Sequence, residues 1–137
     1  MLKARKATLA DAAEAYARLT LAMNDAFIAT WRSKYQINRL RPVTYVQLFI
    51  DSNWTPQLMN TPPFPEYPSG HSVQSAAAAA VLSRLFGAQT AFTDNAHNDR
   101  GWGPRTFASF NAAAEEAALS RLYAGIHFRS AVVNGQV

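Results

Sequence analysis

A proline-rich stretch, residues 51–68, divides the sequence into two parts. It ends at Pro68 and has four further prolines inside it: Pro56, Pro62, Pro63 and Pro65. Because proline lacks the N–H group that a helix interior requires, this stretch cannot continue a neighbouring helix. A loop of this length in a compact domain is usually functional or disordered. Its aromatic residues, Trp54, Phe64 and Tyr67, favour an ordered loop that packs on the rest of the chain.

Helical patterns precede and follow this loop. Thr8 and Asp11 form a variant of the capping box, after which apolar residues recur at helical spacing. This first helix is predicted to reach about Leu40, because Pro42 disfavours helical geometry at Arg41. The further expected segments are a short helix over 43–50, a helix over 69–86 ended by Gly87, a polar loop over 93–105, a helix over 109–123, and a last segment from Ile126. The sequence therefore predicts an all-α fold, a helical bundle core of about four helices with long loops.

Composition and charge limit the classes of function. The 137 residues fit one domain, residues 1–137, and the absence of cysteine excludes disulfides and thiolate metal sites. The net charge of +4 suits an anionic partner, but the basic residues form no run typical of a nucleic-acid-binding arm. The longest apolar run, residues 76–82, is too short to span a membrane, and the first residues do not resemble a secretory signal. We therefore expect a soluble chain with no nucleic-acid partner, and the sequence does not indicate its compartment.

Three short motifs stand out in order along the chain. They are Lys34 with Arg41-Pro42, then Pro68-Ser69-Gly70-His71, then Ser120-Arg121 with His127. Arginine donates paired hydrogen bonds to the oxygens of an oxyanion, and lysine adds a compact charge. Lys34 and Arg41 are seven residues apart, about two helical turns, so both can point in one direction. Ser69 and Gly70 begin a helix, whose free N–H groups favour an anion.

These motifs, K-x6-RP, PSGH and SR-x5-H, resemble those of the vanadium haloperoxidase and type 2 phosphatidic acid phosphatase superfamily. The flanking segments DAFIATW, PPFPEYPSGHS and EEAALSRLYAGIHFRSA are similar to the bacterial vanadium haloperoxidase-like branch. The resemblance covers about residues 8–135. Because family enzymes are usually longer, it implies a truncated or minimal version of the family fold, incomplete at one or both ends.

The resemblance also implies a role for each motif residue. His127 would be the axial ligand to vanadate, or the nucleophile of a phosphatase, and His71 would be the acid–base group. The implied oxyanion-binding residues are Lys34, Arg41, Ser69, Gly70 and Arg121. Taken singly, each of these residues has an ordinary structural explanation, and only the joint pattern indicates a site. Many family members have Asp four residues after the final histidine, where this sequence has Ala131, which puts the orientation of His127 in question.

Three functions remain open at this point. The resemblance favours a vanadate-dependent haloperoxidase that oxidises halide with hydrogen peroxide. An acid phosphatase using the same site would hydrolyse phosphoesters through a phosphohistidine and need no cofactor. A catalytically decayed helical protein that only binds anions is the third. The sequence does not decide the halide, the phosphoester or the oligomeric state, and leaves a homo-oligomer open.

Overall fold

The computed structural model describes residues 1–56 and 60–136. Residues 57–59, inside the predicted proline-rich loop, and residue 137 lie outside the described residues. The helices are α1 (Leu9–Ile37), α2 (Pro42–Phe49), α3 (Gly70–Phe86), α4 (Phe110–Tyr123) and α5 (Arg129–Asn134). The described residues also include the short strands β1 (Phe92–Asp94) and β2 (Arg105–Phe107), which flank a 3-10 turn, Asn98–Arg100. The predicted all-α class is confirmed, with this small hairpin as an addition.

Helix α1 begins as the sequence predicts and ends earlier. The N–H of Asp11 donates to Oγ1 of Thr8 at 3.1 Å, and the N–H of Thr8 donates to Oδ2 of Asp11 at 2.9 Å, which completes the capping box. The predicted limit near Leu40 is wrong, because Asn38 adopts a left-handed conformation with φ 49°. Asparagine tolerates this conformation better than most residues. The helix therefore ends at Ile37, before Pro42 can have an effect.

Serine caps define the two central helices. The Ser69 side chain accepts from the N–H of Ser72, and the Ser109 side chain accepts from the N–H of Ala112 at 3.0 Å. These residues were predicted as the first of their helices and are instead the N-caps, a shift of one position. The short helix expected over 43–50 is confirmed as α2, which begins at Pro42.

Helix α3 is the centre of the bundle and packs against both α1 and α4. The contact between α3 and α4 buries Ala79, Phe110 and Ala114, with Leu82, Phe86 and Phe92 partly buried around them. Small alanine side chains allow the two helix backbones to approach closely, while Phe110 fills the space at one end. This packing holds the start of α3 and the end of α4 in a fixed relation.

The loop expected over residues 93–105 contains a hairpin that the sequence analysis missed. Strands β1 and β2 pair antiparallel, with Phe92 opposite Phe107 and their ring centroids 5.4 Å apart. Phe92 also stacks on Phe110 at 5.2 Å, so the hairpin is fixed to the start of α4. Strands of three residues are too short for an alternating pattern to stand out against the polar residues between them.

No helix within residues 1–56 and 60–136 combines the length and the apolar character needed to cross a bilayer.

Candidate functional site

Arg41 is held in a buried position at the start of α2. It is the N-cap residue, with an extended backbone that the following proline favours, and only 5% of its surface is exposed. Its Nε donates to the carbonyl of Phe64 at 2.9 Å, and its Nη1 donates to the carbonyl of Ile126 at 2.9 Å. The same Nη1 lies 3.0 Å from Nε2 of His127. Nη2 is buried and has no hydrogen-bond partner among the described residues.

Lys34 is fully buried in the last turn of α1. Its ammonium group donates to three backbone carbonyls, those of Pro65 at 3.0 Å, Glu66 at 3.0 Å and Pro68 at 2.6 Å. An ammonium group has three donors, so these bonds use all of them. Burial, and next the charge of Arg41, lower the pKa of Lys34 to about 8. Lys34 therefore fixes the segment that leads into α3 while its charge remains close to Arg41.

The second motif forms the first turn of α3. Ser69 is buried, and its N–H donates to the carbonyl of Ala131 at 3.1 Å. Within the described chain, the N–H groups of Gly70 and His71 have no hydrogen-bond partner. A Cβ on Gly70 would meet Trp31 at an ordinary contact distance of 3.5 Å. The N–H of Gly70 is therefore available to a bound group. The packing of the fold does not itself require a glycine at this position.

His71 lies at the exposed side of this turn. Desolvation by the surrounding protein, and next the positive charge of Arg121, lower the pKa of the imidazole. Because the shift is downward from an ordinary value of 6.5, His71 is neutral at pH 7. The charge interaction also places Arg121, in the last turn of α4, in electrostatic reach of the second motif.

His127 follows a sharp turn after α4. Gly125 has φ 73°, a left-handed conformation that favours glycine, and the chain then buries Ile126 completely. His127 itself is 5% exposed. Burial is the main cause that lowers the pKa of its imidazole, and its hydrogen bond to Glu66 acts in the opposite direction. The ring is therefore neutral at pH 7, with one nitrogen as donor and the other as acceptor.

Glu66 is the residue of the site that the sequence analysis missed. Its side chain is fully buried, and its Oε1 lies 2.9 Å from Nδ1 of His127 and 2.9 Å from the backbone nitrogen of Phe128. Nε of Arg39 lies 3.6 Å from the other carboxylate oxygen, Oε2. The signal in the sequence was an acidic residue amid prolines and aromatics, in the segment PPFPEYPSGH.

Ala131 occupies the position where many family members have aspartate. Its side chain is fully buried in α5, and its carbonyl accepts the N–H of Ser69. A carboxylate does reach His127, but it comes from Glu66, which precedes the histidine in the sequence, whereas the family aspartate follows it. The orientation of His127, which the sequence left in question, therefore has a structural explanation.

The three motifs come together through these contacts. Nζ of Lys34 and Cζ of Arg41 lie 5.4 Å and 4.9 Å from the ring centroid of Phe64, on the loop between the first and second motifs. Arg41 contacts His127 of the third motif, and the charge of Arg121 acts on both Arg41 and His71. The buried cations and the free N–H groups suit an oxyanion such as vanadate or phosphate. Nowhere in the described chain do three or more His, Asp or Glu residues cluster in a way that suits a metal cation.

A protein-family comparison matches most of the chain. The family described as the VCPO second helical-bundle domain matches residues 14–137. No match was found among curated proteins.

Solved structures with a similar fold include three haloperoxidase crystal structures. A bacterial vanadium-dependent iodoperoxidase has 45% sequence identity and a TM-score of 0.90, over 98% of this chain and 34% of that chain. Apo-type and holo-type bacterial vanadium-dependent chloroperoxidases have 19% and 20% identity and TM-scores of 0.70 and 0.72, each over 87% of this chain and 32% of theirs. The chloroperoxidases share the fold alone. The chain spans about a third of the length of these solved structures.

Proposed function

The chain belongs to the vanadium haloperoxidase family, as a second helical-bundle domain, and we propose that it holds the oxyanion site of a vanadate-dependent haloperoxidase. One observation carries the proposal. The guanidinium of Arg41 is buried beside Nε2 of His127, and its Nη2 has no acceptor among the described residues. Buried donors in native proteins are almost always paired, so an oxyanion oxygen at this position supplies the missing acceptor.

The residues around Arg41 fit vanadate by charge and by hydrogen-bonding capacity. Arg41 and Arg121 contribute positive charge, and the N–H groups of Gly70 and His71 contribute donors at a helix start. Nε2 of His127 is the atom that would bind the oxyanion directly: its one lone pair accepts from Nη1 of Arg41 in this structure, and this N–H would turn to an oxyanion oxygen when Nε2 binds. Lys34, whose ammonium group is bonded to the backbone of residues 65–68, adds a further positive charge. Ser69 fixes the first turn of α3 through its cap and its bond to Ala131.

The chemistry that vanadate supplies when bound is Lewis-acid activation of hydrogen peroxide toward attack by a halide. The chain provides the proton transfer. His71 is neutral at pH 7 and lies on the exposed side of the first turn of α3, so its imidazole can accept a proton from hydrogen peroxide and return it later. His127 and Arg41 are buried, which limits the access of water to Nε2 of His127.

Iodide is the halide that we propose as substrate. The chain has 45% identity to the bacterial iodoperoxidase, compared with 19% and 20% to the chloroperoxidases. The likeness to the iodoperoxidase extends over 98% of this chain.

The test uses the purified 137-residue chain with orthovanadate, hydrogen peroxide and iodide. Formation of triiodide that requires vanadate, exceeds bromide oxidation and is lost in His127→Ala supports the proposal. Release of phosphate from p-nitrophenyl phosphate, without vanadate-dependent iodide oxidation, identifies the site as that of a phosphatase. Absence of both activities, with vanadate and phosphate still bound, identifies an anion-binding protein and rejects the proposal.

A further inference from the structure

Glu66 is held at three points: its backbone N–H, its backbone carbonyl and its side chain. Its N–H donates to the carbonyl of Arg39 at 2.9 Å, and its own carbonyl accepts from Lys34 at 3.0 Å. Its side chain bonds the ring of His127 and the backbone of Phe128, both at 2.9 Å. The carboxylate therefore has little freedom, and its distance from His127 is set by the backbone on which it stands.

The contacts of His127 determine which ring nitrogen carries the proton. Arginine has only donors, so Nη1 of Arg41, 3.0 Å from Nε2, requires Nε2 to be an acceptor. In a neutral ring the proton then lies on Nδ1, which donates to Oε1 of Glu66. The two neighbours thus select the same tautomer from opposite sides of the ring.

Burial of Glu66 is costly unless the carboxylate has a specific task. A fully buried carboxylate loses its hydration, and an apolar residue of similar volume is often at least as stabilising. Arg39 is 3.6 Å from Oε2 and is more than a third exposed, so this ion pair gives limited compensation. The bonds that Oε1 accepts from His127 and from Phe128 are the specific interactions that explain why a carboxylate is buried here.

We propose that Glu66 is a positioning residue: it fixes His127 with Nδ1 protonated and presents Nε2 to the oxyanion. The inference rests on the proposed function, since it assigns to His127 the direct bond to the oxyanion. The single oxygen Oε1 also accepts from Phe128, the N-cap of α5, so the ring and the backbone after it are fixed together. Carboxylates that bond the remote nitrogen of a ligating histidine set its tautomer and orientation in this way.

Another explanation is that Glu66 only balances the charge of Lys34 and Arg41, on both of which its charge acts. Two conservative variants separate the explanations. Glu66→Gln keeps an oxygen at the same reach, able to accept from Nδ1 and from Phe128, but removes the charge. Glu66→Asp keeps the charge, but its side chain is one methylene shorter and cannot reach the ring from a backbone held by Lys34 and Arg39.

The experiment measures the tautomer of His127, the hydrogen bond of its Nδ1–H and the affinity for the oxyanion in the 137-residue chain. Long-range proton–nitrogen spectra of protein labelled in its three histidines report the tautomer, and His127→Ala assigns the signal. Titration calorimetry with orthovanadate, and separately with inorganic phosphate, reports the affinity. Glu115→Gln, at an exposed position of α4, is the matched control.

We expect Glu66→Gln to retain the Nδ1–H tautomer with little loss of affinity. Because Arg41 still selects the same tautomer, Glu66→Asp is expected to lose only the Nδ1–H···Oε1 bond, seen as a shifted and faster-exchanging Nδ1–H signal, with an affinity lower by about 10- to 100-fold. The opposite order of the two variants in affinity, or a Nδ1–H signal in Glu66→Asp identical to that of the wild type, overturns the inference. A wild-type protein that binds neither oxyanion rejects the proposed function instead, and the Nδ1–H signal, which needs no oxyanion, still decides whether Glu66 positions the ring.

Discussion

Nζ of Lys34 lies 2.6 Å from the carbonyl oxygen of Pro68, the residue immediately before the serine that caps α3. Two further carbonyls, of Pro65 and Glu66, take the other two donors of the ammonium group. The first motif therefore supports the second through the backbone. Direct binding of the oxyanion by Lys34, as the family resemblance implies, stays a prediction, and in this structure its donors serve the loop.

Lys34 gives the stability of the fold a defined pH dependence. Its pKa is about 8 in the folded protein, below its ordinary value of 10.5, so between these values the unfolded chain binds more protons. Stability rises with pH wherever the unfolded state binds more protons. We expect the free energy of unfolding of the wild type, relative to Lys34→Met, to rise between pH 8 and 10.5 by on the order of 3 kcal/mol. Urea denaturation at several pH values measures this difference.

The control for this experiment is Lys3→Met, which removes an exposed lysine near the N-terminus. A difference between the wild type and Lys34→Met that stays flat over the same pH range contradicts the assignment of a buried, desolvated ammonium group.

Arg41→Lys tests the forked geometry of the guanidinium. Arg41 donates from Nε and Nη1 to two carbonyls and contacts His127, with Nη2 still to donate. A lysine retains the charge but cannot bond in all these directions at once. We expect the affinity for orthovanadate and for phosphate to fall by about 10- to 100-fold, the equivalent of one or two charge-assisted hydrogen bonds. Arg32→Lys, at an exposed position of α1, is expected to bind both as the wild type does.

Local signals predicted the helices well. The cap bonds of Ser69, Ser109 and Gly87 reach only three or four residues along the chain, so α3 and α4 were placed to within one residue. The end of α1 was predicted too late. Asn38 and Pro42 are both possible stop signals, and the sequence does not show that the left-handed asparagine acts first.

The site was harder to predict than the helices because its contacts are distant in sequence. Glu66 and His127 are 61 residues apart, and one acidic residue in a loop gives no indication of such a partner. The carbonyls that bind Lys34 belong to the backbone, which every residue has, so they leave no mark in the sequence. The motifs identified the residue types that meet, whereas the bonds among them required the fold.

Gly125→Ala tests the turn that positions His127. An alanine there must adopt φ 73°, and its Cβ would lie 3.4 Å from Trp54. A left-handed alanine costs about 1–2 kcal/mol, and relief of this strain would shift the backbone two residues before His127. We expect lower stability together with an affinity for vanadate reduced by about 10- to 100-fold.

Gly101→Ala is the matched control for Gly125→Ala. Gly101 has a similar φ of 76°, and no described heavy atom lies within 4 Å of the Cβ that alanine would add. It should lose a similar amount of stability and keep its affinity for vanadate. Equal affinities in the two variants would show that the turn at Gly125 does not position the histidine.

Substitution of the three histidines distinguishes their roles. His127→Ala is expected to abolish vanadate-dependent turnover, because Nε2 is the atom we assign to the oxyanion, and Glu66 and Arg41, its neighbours in the structure, cannot replace an imidazole lone pair. His71→Ala should bind vanadate nearly as well as the wild type, since the N–H group that we assign to the oxyanion at this residue belongs to its backbone. Its kcat should fall by about 10²–10⁴, the usual contribution of general acid–base help.

His97→Ala is the control for this series, because His97 is exposed in the hairpin loop and contacts Trp102. We expect it to leave both affinity and kcat unchanged. Calorimetry with orthovanadate and steady-state iodide oxidation separate binding from turnover in all three variants. A His71→Ala variant that loses affinity as strongly as His127→Ala would mean that the imidazole of His71 binds the oxyanion itself. In that case proton transfer must be assigned to another group, because a side chain engaged by the oxyanion is no longer free to exchange its proton with hydrogen peroxide.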